Sequence, residues 1–442
     1  MSMIRRILAR AGWLAGAVAL VSGPLAAAQE QATAPLVRPT FNVLHAFDDT
    51  GGEFSYPDSV IPSGDGGYVG TLVYGGAFGS GMVYKLAADG SETTIHDFTG
   101  GADGGIPAGV IADAQGNLYG VAAQGGNPGC TFGSCGVIYE VTPDGQETVL
   151  YAFPASMSMG WFPAGQLTRD PAGNLYGATT LGGDTTCPGG GTAGCGVVFK
   201  LAPDGSYTVL HTFTGGADGV GPYGNLLRDR AGNLYGITND NAPWIAGACK
   251  TPDASCGTVF RIAPDGSYTQ LHVFGGFADG LRPTAGLVRD AEGNLYGTTA
   301  QGGLNPGNLC PADPPYWDAR GGCGVVFKLT PSGVYSVLYA FQGGNDGISP
   351  GGSLYRDPKG GGLYGAASTF VGRYCEHHLN CGLVFAVMPD GSKRTLYNFA
   401  NSDGLEPIAP VVKGQGAQLI GIAAQGKNHS ATVYSLQFKR GQ

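Results

Sequence analysis

Charged residues are scarce in this sequence. They make up 13% of its 442 residues. The sequence has 33 acidic residues and 24 Lys and Arg residues, which gives a formal net charge of −9. The basic residues form no cluster, so neither a nucleic-acid-binding nor an anionic-membrane-binding surface is expected. The chain also lacks a nucleophile elbow, a metalloprotease motif, a P-loop and a dinucleotide-binding loop. No familiar reaction is therefore indicated by a motif.

Long hydrophobic runs are missing as well, apart from residues 11–21. That run follows Arg5, Arg6 and Arg10 and precedes an A-x-A sequence at residues 26–28. It is too short to span a bilayer and is typical of a signal peptide. We expect residues 1–28 to be the signal peptide, 29–38 a flexible segment, 39–439 the folded domain and 440–442 a tail. The protein should be exported to the periplasm or beyond the cell, without membrane insertion, and removal of three arginines changes the charge from −9 to −12.

Glycine and proline are abundant, at 80 and 28 residues. The pentapeptide GNLYG begins at Gly116, Gly173, Gly232 and Gly293, and a near-copy begins at Gly361. Each copy belongs to a unit of about 60 residues, a period typical of propellers and solenoids. Each unit begins at a proline: Pro57, Pro107, Pro163, Pro222, Pro283, Pro350 or Pro407.

Each unit contains four short segments rich in Val, Leu, Tyr and Phe, which predict β-strands. In the fifth unit they are residues 286–289, 294–299, 324–329 and 334–341. The turns RDxxGN and PDG join them as hairpins, because Asp-Gly supplies the positive φ that such turns need. Four antiparallel strands in a repeated unit predict a β-propeller blade.

The two ends of the chain predict how the ring closes. Residues 41–47 (FNVLHAF) match the fourth strand of a unit, and residues 431–438 (ATVYSLQF) match the third strand. Pairing them completes the last blade and removes two exposed sheet edges. We predict an all-β, seven-bladed propeller of four-stranded antiparallel blades, present as a monomer.

The repeated pattern GVVFKL-x-PDG…F-x-GG-x-DG…P-x-GGLxRD-x-x-GNLYGTT resembles the GloVer tandem repeat of the choice-of-anchor bacterial surface proteins. The resemblance covers nearly the whole chain after residue 28. It implies an exported repeat protein and brings no established activity with it.

All ten cysteines lie between second and third strands, two in each loop. Their even number, local spacing and export signal predict five disulfides within loops. The alternative is zinc binding, which needs four converging ligands, whereas these pairs lie in separate units. The predicted pairs are Cys130–Cys135, Cys187–Cys195, Cys249–Cys256, Cys310–Cys323 and Cys375–Cys381.

The histidines fall into two groups. His45, His96, His211 and His272 share one position in the fourth strand, which tyrosine fills in other units, so a structural role is expected. His377, His378 and His429 have no equivalent in other units. They are candidate ligands of a divalent metal, or exposed loop residues. No cofactor is predicted beyond that metal.

Two further sets of charged residues recur in most units. The aspartate of the GGADG sequence, such as Asp103 or Asp218, is expected to accept backbone N–H groups in a turn; calcium binding is the alternative. The basic residue that ends the first strand, such as Arg169 or Arg228, is expected to pair with a carboxylate or a loop carbonyl. The alternative for these basic residues is a cationic ring that holds an anion.

Aromatic residues in the variable loops are the main functional signal. The candidate ligand-binding residues are Trp161, Phe162, Trp244, Tyr316 and Trp317. Such rings stack on sugars or anchor protein partners, and the alternative is that each ring packs inside its own loop. We predict an exported module that binds a glycan or a protein. A metal-assisted lyase or hydrolase and a structural envelope protein are the alternatives, and catalysis is the less expected outcome.

Overall fold

The computed structural model describes eleven stretches of the compact unit Arg38–Gln442. They are residues 38–47, 56–130, 135–187, 193–239, 257–275, 278–303, 322–368, 381–400, 405–407, 410–425 and 431–439. Their regular structure is β-strand, apart from short 3₁₀ turns such as Gly344–Asp346. No helix in this part of the chain is long and apolar enough to cross a bilayer.

Seven antiparallel sheets form the blades, each built from a contiguous unit of the chain except the last. The strands of blade 1 are β2 (Tyr56–Pro62), β3 (Tyr68–Tyr74), β4 (Met82–Leu86) and β5 (Glu92–Asp97). Those of blade 2 are β6 (Gly105–Pro107), β7 (Ile111–Ala112), β8 (Leu118–Gln124), β9 (Val137–Val141) and β10 (Glu147–Ala152). Those of blade 3 are β11 (Trp161–Arg169), β12 (Leu175–Leu181), β13 (Val197–Leu201) and β14 (Tyr207–Thr212). Those of blade 4 are β15 (Pro222–Arg228), β16 (Leu234–Thr238), β17 (Thr258–Ile262) and β18 (Tyr268–Val273).

The remaining three blades follow the same order. The strands of blade 5 are β19 (Leu281–Pro283), β20 (Val288–Arg289), β21 (Leu295–Gln301), β22 (Val325–Leu329) and β23 (Tyr335–Ala340). Those of blade 6 are β24 (Ile348–Arg356), β25 (Leu363–Ser368), β26 (Leu383–Val387) and β27 (Lys393–Asn398). Those of blade 7 are β28 (Leu405–Pro407), β29 (Val412–Lys413), β30 (Gln418–Gln425), β31 (Thr432–Gln437) and β1 (Thr40–Ala46).

Strand β1 closes the ring as the sequence predicts. It pairs with β31 in antiparallel register, from Thr40 opposite Gln437 to Ala46 opposite Thr432. The N-terminal strand thereby becomes the fourth strand of blade 7, and the predicted seven-bladed propeller is confirmed.

The RDxxGNLYG sequence forms the hairpin between the first two strands of a blade. In blade 3 the Asp170 carboxylate accepts hydrogen bonds from the Asn174 backbone N–H (2.9 Å) and from the Tyr176 hydroxyl (3.0 Å). Gly173 has a φ of 89°, which a side chain would strain. A Cβ at Gly177 would lie 2.5 Å from Cζ of Phe199, so the second glycine makes room for that ring. The repeated pentapeptide therefore serves turn geometry and packing.

The hydrophobic core consists of seven clusters, and each one joins two neighbouring blades. The last phenylalanine of the fourth-strand pattern is buried in every case and packs edge-to-face on an aromatic ring of the next blade. These ring pairs are Phe47–Tyr84, Phe98–Tyr139, Phe153–Phe199, Phe213–Phe260, Phe274–Phe327, Phe341–Phe385 and Phe399–Tyr434. Edge-to-face pairs add about 0.5–1.5 kcal/mol each beyond burial. The ring is thus held together mainly at blade junctions.

Candidate functional site

The loops between second and third strands lie on the same face as the connections between blades. Gly126 N–H in such a loop donates to the Gly101 carbonyl of a connection (2.8 Å), and Gly183 N–H donates likewise to the Met157 carbonyl (2.8 Å). We call this side the long-loop face. The hairpin turns PDG and RDxxGN form the opposite side, which we call the turn face.

Disulfides close at least two loops of the long-loop face. Cys130 is bonded to Cys135 with 5.7 Å between their Cα atoms, and Cys187 is bonded to Cys195 with 6.2 Å. Cys323 and Cys381 are also disulfide-bonded. Their predicted partners Cys310 and Cys375, and the predicted pair Cys249–Cys256, lie outside the described residues. The described part of the chain contains no free cysteine.

Trp161 and Phe162 begin strand β11 on the long-loop face. The Trp161 side chain is only 7% exposed and packs in a core cluster with Cys130 and Cys135. Phe162 has a φ of 60° and packs against the same cluster. Both rings thus pack against the loop of the preceding blade, blade 2, that carries Cys130 and Cys135. Trp161 therefore has little surface to offer a ligand.

The other predicted site residues are not placed by the structure. Trp244, Tyr316, Trp317, His377, His378 and His429 lie outside the described residues. Within the described ranges, no group of three or more His, Cys, Asp or Glu side chains is arranged to hold a metal ion. The ligand-binding and metal-binding assignments of these six residues remain predictions.

The four fourth-strand histidines make structural contacts. His45 pairs with Glu92 of the next blade at 3.0 Å, and His211 pairs with Asp218 at 3.2 Å. The His211 ring also stacks on Tyr268 of the next blade, with 4.1 Å between ring centroids. His272 and His96 approach Asp279 and Asp103 at 3.3 and 3.7 Å. The predicted structural role of this position is confirmed.

The recurring GGADG aspartates cap the connection between blades. Asp103 accepts the Thr99 backbone N–H (2.8 Å), Asp218 accepts that of Thr214 (3.0 Å), and Asp279 accepts that of Gly275 (3.0 Å). Their carboxylates are thus used inside the loop, as the sequence predicts.

The basic residues that end the first strands contact aromatic rings. Arg169, Arg228 and Arg356 lie over the rings of Tyr119, Tyr176 and Tyr296, at 5.3, 5.9 and 5.8 Å from the centroids. Each tyrosine belongs to the preceding blade, and its hydroxyl donates to the aspartate of its own hairpin, as in Tyr296 to Asp290 (2.8 Å). The sequence predicted a carboxylate or a carbonyl as partner. The structure shows a tyrosine ring of the preceding blade as a contact of each of these three cations, and a carboxylate or carbonyl partner stays a prediction.

First strands of all seven blades line a central channel, which contains a cavity of about 310 Å³. Apolar and glycine residues form most of its wall, and Lys413 lies near the turn face at the end of β29. The uncharged polar residues of the wall are Ser59, Gln166, Tyr223, Asn225, Thr284, Ser353 and Tyr355. Among the described residues of the wall, Asp58 is the one acidic residue.

Asp58 is a carboxylate in an unusual setting. Burial raises its pKa to about 6, and one hydrogen bond from the Gly109 backbone N–H opposes that rise. No ion pair to Asp58 occurs within the part of the chain that the structure describes. Its side chain is partly exposed, and the surface that it exposes belongs to the channel.

The amides across the channel form a network that joins neighbouring blades. The Asn225 side chain accepts from the Gln166 backbone N–H (2.7 Å) and donates to the Gln166 side-chain carbonyl (3.2 Å). The Thr284 hydroxyl donates to the Pro350 carbonyl (3.1 Å). This side of the channel is therefore neutral and rigid, with amide and hydroxyl groups facing the cavity.

Buried tyrosine hydroxyls lie behind the wall that carries Asp58. Tyr84 donates to the Ser59 carbonyl (3.2 Å), whereas the hydroxyls of Tyr139 and Tyr434 have no hydrogen-bond partner among the described residues. Burial raises the pKa of Tyr84 and of Tyr139, and the charge of Asp58 contributes to both shifts. The Asp58 side of the channel is thus more polar than its apolar lining indicates.

Comparison with known proteins identifies the family of the repeated unit. The model of the Gloeobacter/Verrucomicrobia repeat matches residues 33–186 and 185–314, which is more than half of the 442 residues. The chain belongs to the Gloeobacter/Verrucomicrobia repeat family. The family match confirms the resemblance expected from the GNLYG units. No curated protein matches this member of the Gloeobacter/Verrucomicrobia repeat family.

Solved structures share the fold at low identity. One is the extracellular domain of a candidate hybrid two-component system from B. thetaiotaomicron: 11% identity, TM-score 0.53, covering 89% of this chain and 39% of that chain. A second such domain, from the same organism, shows 12% identity, TM-score 0.51, and coverage of 90% and 41%. This chain therefore spans about two-fifths of their length. A gluconolactonase from Xanthomonas campestris shows 13% identity, TM-score 0.43, and coverage of 91% of each chain. The first two matches show a shared fold alone, and the third carries no functional argument.

Sequence reasoning missed Asp58 as a channel residue. The sequence does single out Asp58 when the units are compared. Between the leading proline and the buried aliphatic residue of the first strand, no other unit has a charged residue. The signal is weak without the fold, since an Asp after a proline is also typical of a turn.

Proposed function

We propose that the protein is an exported binding module that holds a glycan or a protein partner on its long-loop face. The observation that carries this proposal is the difference between the two faces of the ring. One face has short hairpin turns of nearly constant length. The other has loops of variable length, and disulfides close those of blades 2 and 3.

The turn face offers few free polar groups. Asp89, Asp204, Asp265 and Asp390 each accept the backbone N–H of the serine two residues later. Their carboxylates are thus already engaged in their own turns. A tight turn of this kind exposes little surface that a ligand could recognise.

The long-loop face favours binding for an energetic reason. Long loops lose conformational entropy when they become ordered on a ligand. A disulfide already restricts the free loop, so less entropy is lost on binding. The bonds Cys130–Cys135 and Cys187–Cys195 act in this way within their loops. Constrained loops around a rigid ring are typical of binding surfaces.

The sequence supplies aromatic residues for this face. Trp244 lies between β16 and β17 along the chain, and Tyr316 and Trp317 lie between β21 and β22. Tryptophan and tyrosine stack on sugar rings and are over-represented among energetically dominant interface residues. Because Trp161 is buried and Phe162 is partly buried against the same cluster, the proposal rests on the other three rings.

Export is supported by the disulfides. Such bonds persist in oxidising compartments and are rare where glutathione keeps thiols reduced. The sequence adds a predicted signal peptide over residues 1–28. The protein is therefore proposed to act in the periplasm or outside the cell.

A glycan array and a pull-down with the protein lacking residues 1–28 would identify a ligand, whose affinity is then measured for a set of variants. The double variant Trp244→Ala/Trp317→Ala should weaken binding by about 2–4 kcal/mol and leave the melting temperature nearly unchanged. The matched control is Val334→Ala, since Val334 is 60% exposed on the turn face; it should change neither quantity. Unchanged binding by the double variant would place the ligand elsewhere.

A further inference from the structure

The seven first strands provide an internal comparison at the channel wall. Each contains one buried aliphatic residue. The residue two positions before it is Gly or Ala in six blades and Asp in one. That residue is Asp58 in blade 1 and Ala108, Gly165, Gly224, Ala285, Gly352 or Ala409 in the others. The strand itself therefore needs only a small residue here. A carboxylate in one blade of seven serves something other than the fold.

Asp58 has no oppositely charged partner among the residues that the structure describes. A buried ionised carboxylate is unfavourable unless it is paired or well hydrogen-bonded. Asp58 receives one backbone hydrogen bond and, within the described residues, no ion pair. Lys413 lines the same cavity, but it lies near the turn face, whereas Asp58 follows Pro57 near the long-loop face. The carboxylate is thus free to act as counter-ion for a cation in the channel.

The groups around Asp58 suit an organic cation. Tyr223 is 45% exposed and lines the same channel cavity as Asp58. A tyrosine ring attracts cations through its π face. Asn225, Thr284 and Ser353 add amide and hydroxyl groups that can bond to a polar ligand.

We propose that the central channel binds a small organic ammonium ion that also carries hydroxyl groups, with Asp58 as its counter-ion. An amino alcohol or an amino sugar has this chemistry, and a cavity of about 310 Å³ accommodates a molecule of that size. The ammonium group pairs with Asp58, and the hydroxyl groups bond to the amides and hydroxyls of the wall. This site lies in the channel rather than in the variable loops, and it does not depend on the function proposed for the long-loop face.

A divalent metal fits the wall less well. Calcium and magnesium sites collect several oxygen ligands and usually more than one carboxylate. The channel wall offers a single carboxylate, and its polar groups are spread over different blades. A neutral sugar is the closer competitor, since it would use the same hydroxyl and amide groups without needing the charge.

Isothermal titration of the purified protein with two matched pairs of probes tests the assignment. Ethanolamine is compared with ethylene glycol, and glucosamine with glucose, because each pair differs chiefly by the ammonium group. We expect at least one amine to bind, at least tenfold more tightly than its neutral analogue. Asp58→Asn should lower the affinity for that amine at least tenfold.

Two further variants keep the result interpretable. Asp58→Ala introduces the residue that blades 2, 5 and 7 carry, so it should fold and should lose amine binding as well. Asp265→Asn makes the same charge change on the turn face and should bind the amine like the unaltered protein. The proposal is overturned if neither amine binds, if the neutral analogues bind equally well, or if both Asp58 variants keep full affinity.

Discussion

At the scale of single residues, three buried tyrosines show how closely each blade is packed. Each tyrosine lies in the third strand of its blade, next to a glycine of the second strand and a valine of the first strand. In the other four blades a phenylalanine takes the place of the tyrosine, and a leucine takes the place of the valine. The tyrosine sets are Val60–Gly70–Tyr84, Val110–Gly120–Tyr139 and Val411–Gly421–Tyr434; the phenylalanine sets are Leu167–Gly177–Phe199, Leu226–Gly236–Phe260, Leu287–Gly297–Phe327 and Leu354–Gly365–Phe385. The tyrosine hydroxyl thus takes the space of the leucine methyl group. Packing to this density is typical of protein interiors.

The hydroxyls of two of these tyrosines should have opposite effects on stability. Tyr139→Phe removes a buried hydroxyl without a partner and should raise the free energy of unfolding by about 1 kcal/mol. Tyr84→Phe removes a hydrogen bond to the Ser59 carbonyl and should lower it by about 1 kcal/mol. Urea denaturation of both variants measures the difference. A loss of stability in Tyr139→Phe equal to that in Tyr84→Phe would contradict the absence of a partner.

Glu147 should make stability depend on pH. Burial, and then the charge of Asp103, raises its pKa from 4.5 to about 7. A carboxyl with a raised folded-state pKa stabilises the fold below its unfolded pKa, and this contribution is lost as pH rises toward 7. Glu147→Gln should match the unaltered protein near pH 4.5 and exceed its stability at pH 8. The gain should be on the order of 1 kcal/mol, because solvent partly screens this half-buried group.

The neighbouring blade supplies the control for this variant. Glu92 occupies the same strand position as Glu147 but pairs with His45 at 3.0 Å. Glu92→Gln removes a charged partner, so it should lower stability at pH 6 rather than raise it. Denaturation curves of both variants between pH 4.5 and 8 would show whether the slopes diverge. Parallel curves would mean that burial at position 147 has no electrostatic effect.

At the scale of strands, blade junctions are held by one recurring pair of side chains. One residue of the pair lies in the fourth strand of a blade, and the other lies at or next to the start of the fourth strand of the next blade. The observed pairs are Tyr151–Tyr207, His211–Tyr268, His272–Tyr335, Tyr339–Lys393, Tyr397–Phe41 and His45–Glu92. Ring stacking, a cation over a ring and an ion pair are thus interchangeable at this position.

Lys393 tests how interchangeable they are. Its side chain is 4% exposed, its Nζ bonds to Asp346 (2.6 Å), and burial lowers its pKa. Lys393→Tyr also removes the cation from Asp346, but it should destabilise the protein less than Lys393→Ala does, because a ring would stack on Tyr339 as Tyr207 stacks on Tyr151. Lys393→Ala leaves Asp346 without its cation and should destabilise by about 3 kcal/mol. Thermal and urea unfolding measure both; equal losses would show that the charge is required.

The same strands show what the sequence predicts and what it does not. The expected segment 334–341 is observed as Tyr335–Ala340, because alternation and turn residues define it locally. The first strand of blade 5 was expected at residues 286–289, yet it is two pieces, Leu281–Pro283 and Val288–Arg289. Such interruptions depend on how neighbouring first strands meet at the channel. For the same reason Asp58 was missed, since only the closed ring shows that its carboxylate faces a cavity.

At the scale of the whole molecule, closure rests on strand β1. Besides its pairing with β31, it contacts both neighbouring blades. Phe41 stacks on Tyr397 of blade 6 with 4.2 Å between centroids, and His45 pairs with Glu92 of blade 1. Just after the strand, Phe47 packs on Tyr84 of blade 1 at 4.9 Å. One short strand thus completes two blade junctions and covers the edge of β31.

A chain that begins at Asp48 should therefore lose the cooperative unfolding of the ring. It lacks a complete sheet in blade 7 and the contacts of β1 with both neighbours, and it exposes the edge of β31. A chain that begins at Arg38 is the control and should unfold in one transition. A synthetic peptide of residues 38–47, added in trans, should restore part of the lost stability, because it can pair with β31 as β1 does. If the shorter chain unfolds as cooperatively and at the same temperature as the control, closure by β1 does not stabilise the ring, and the interblade clusters suffice.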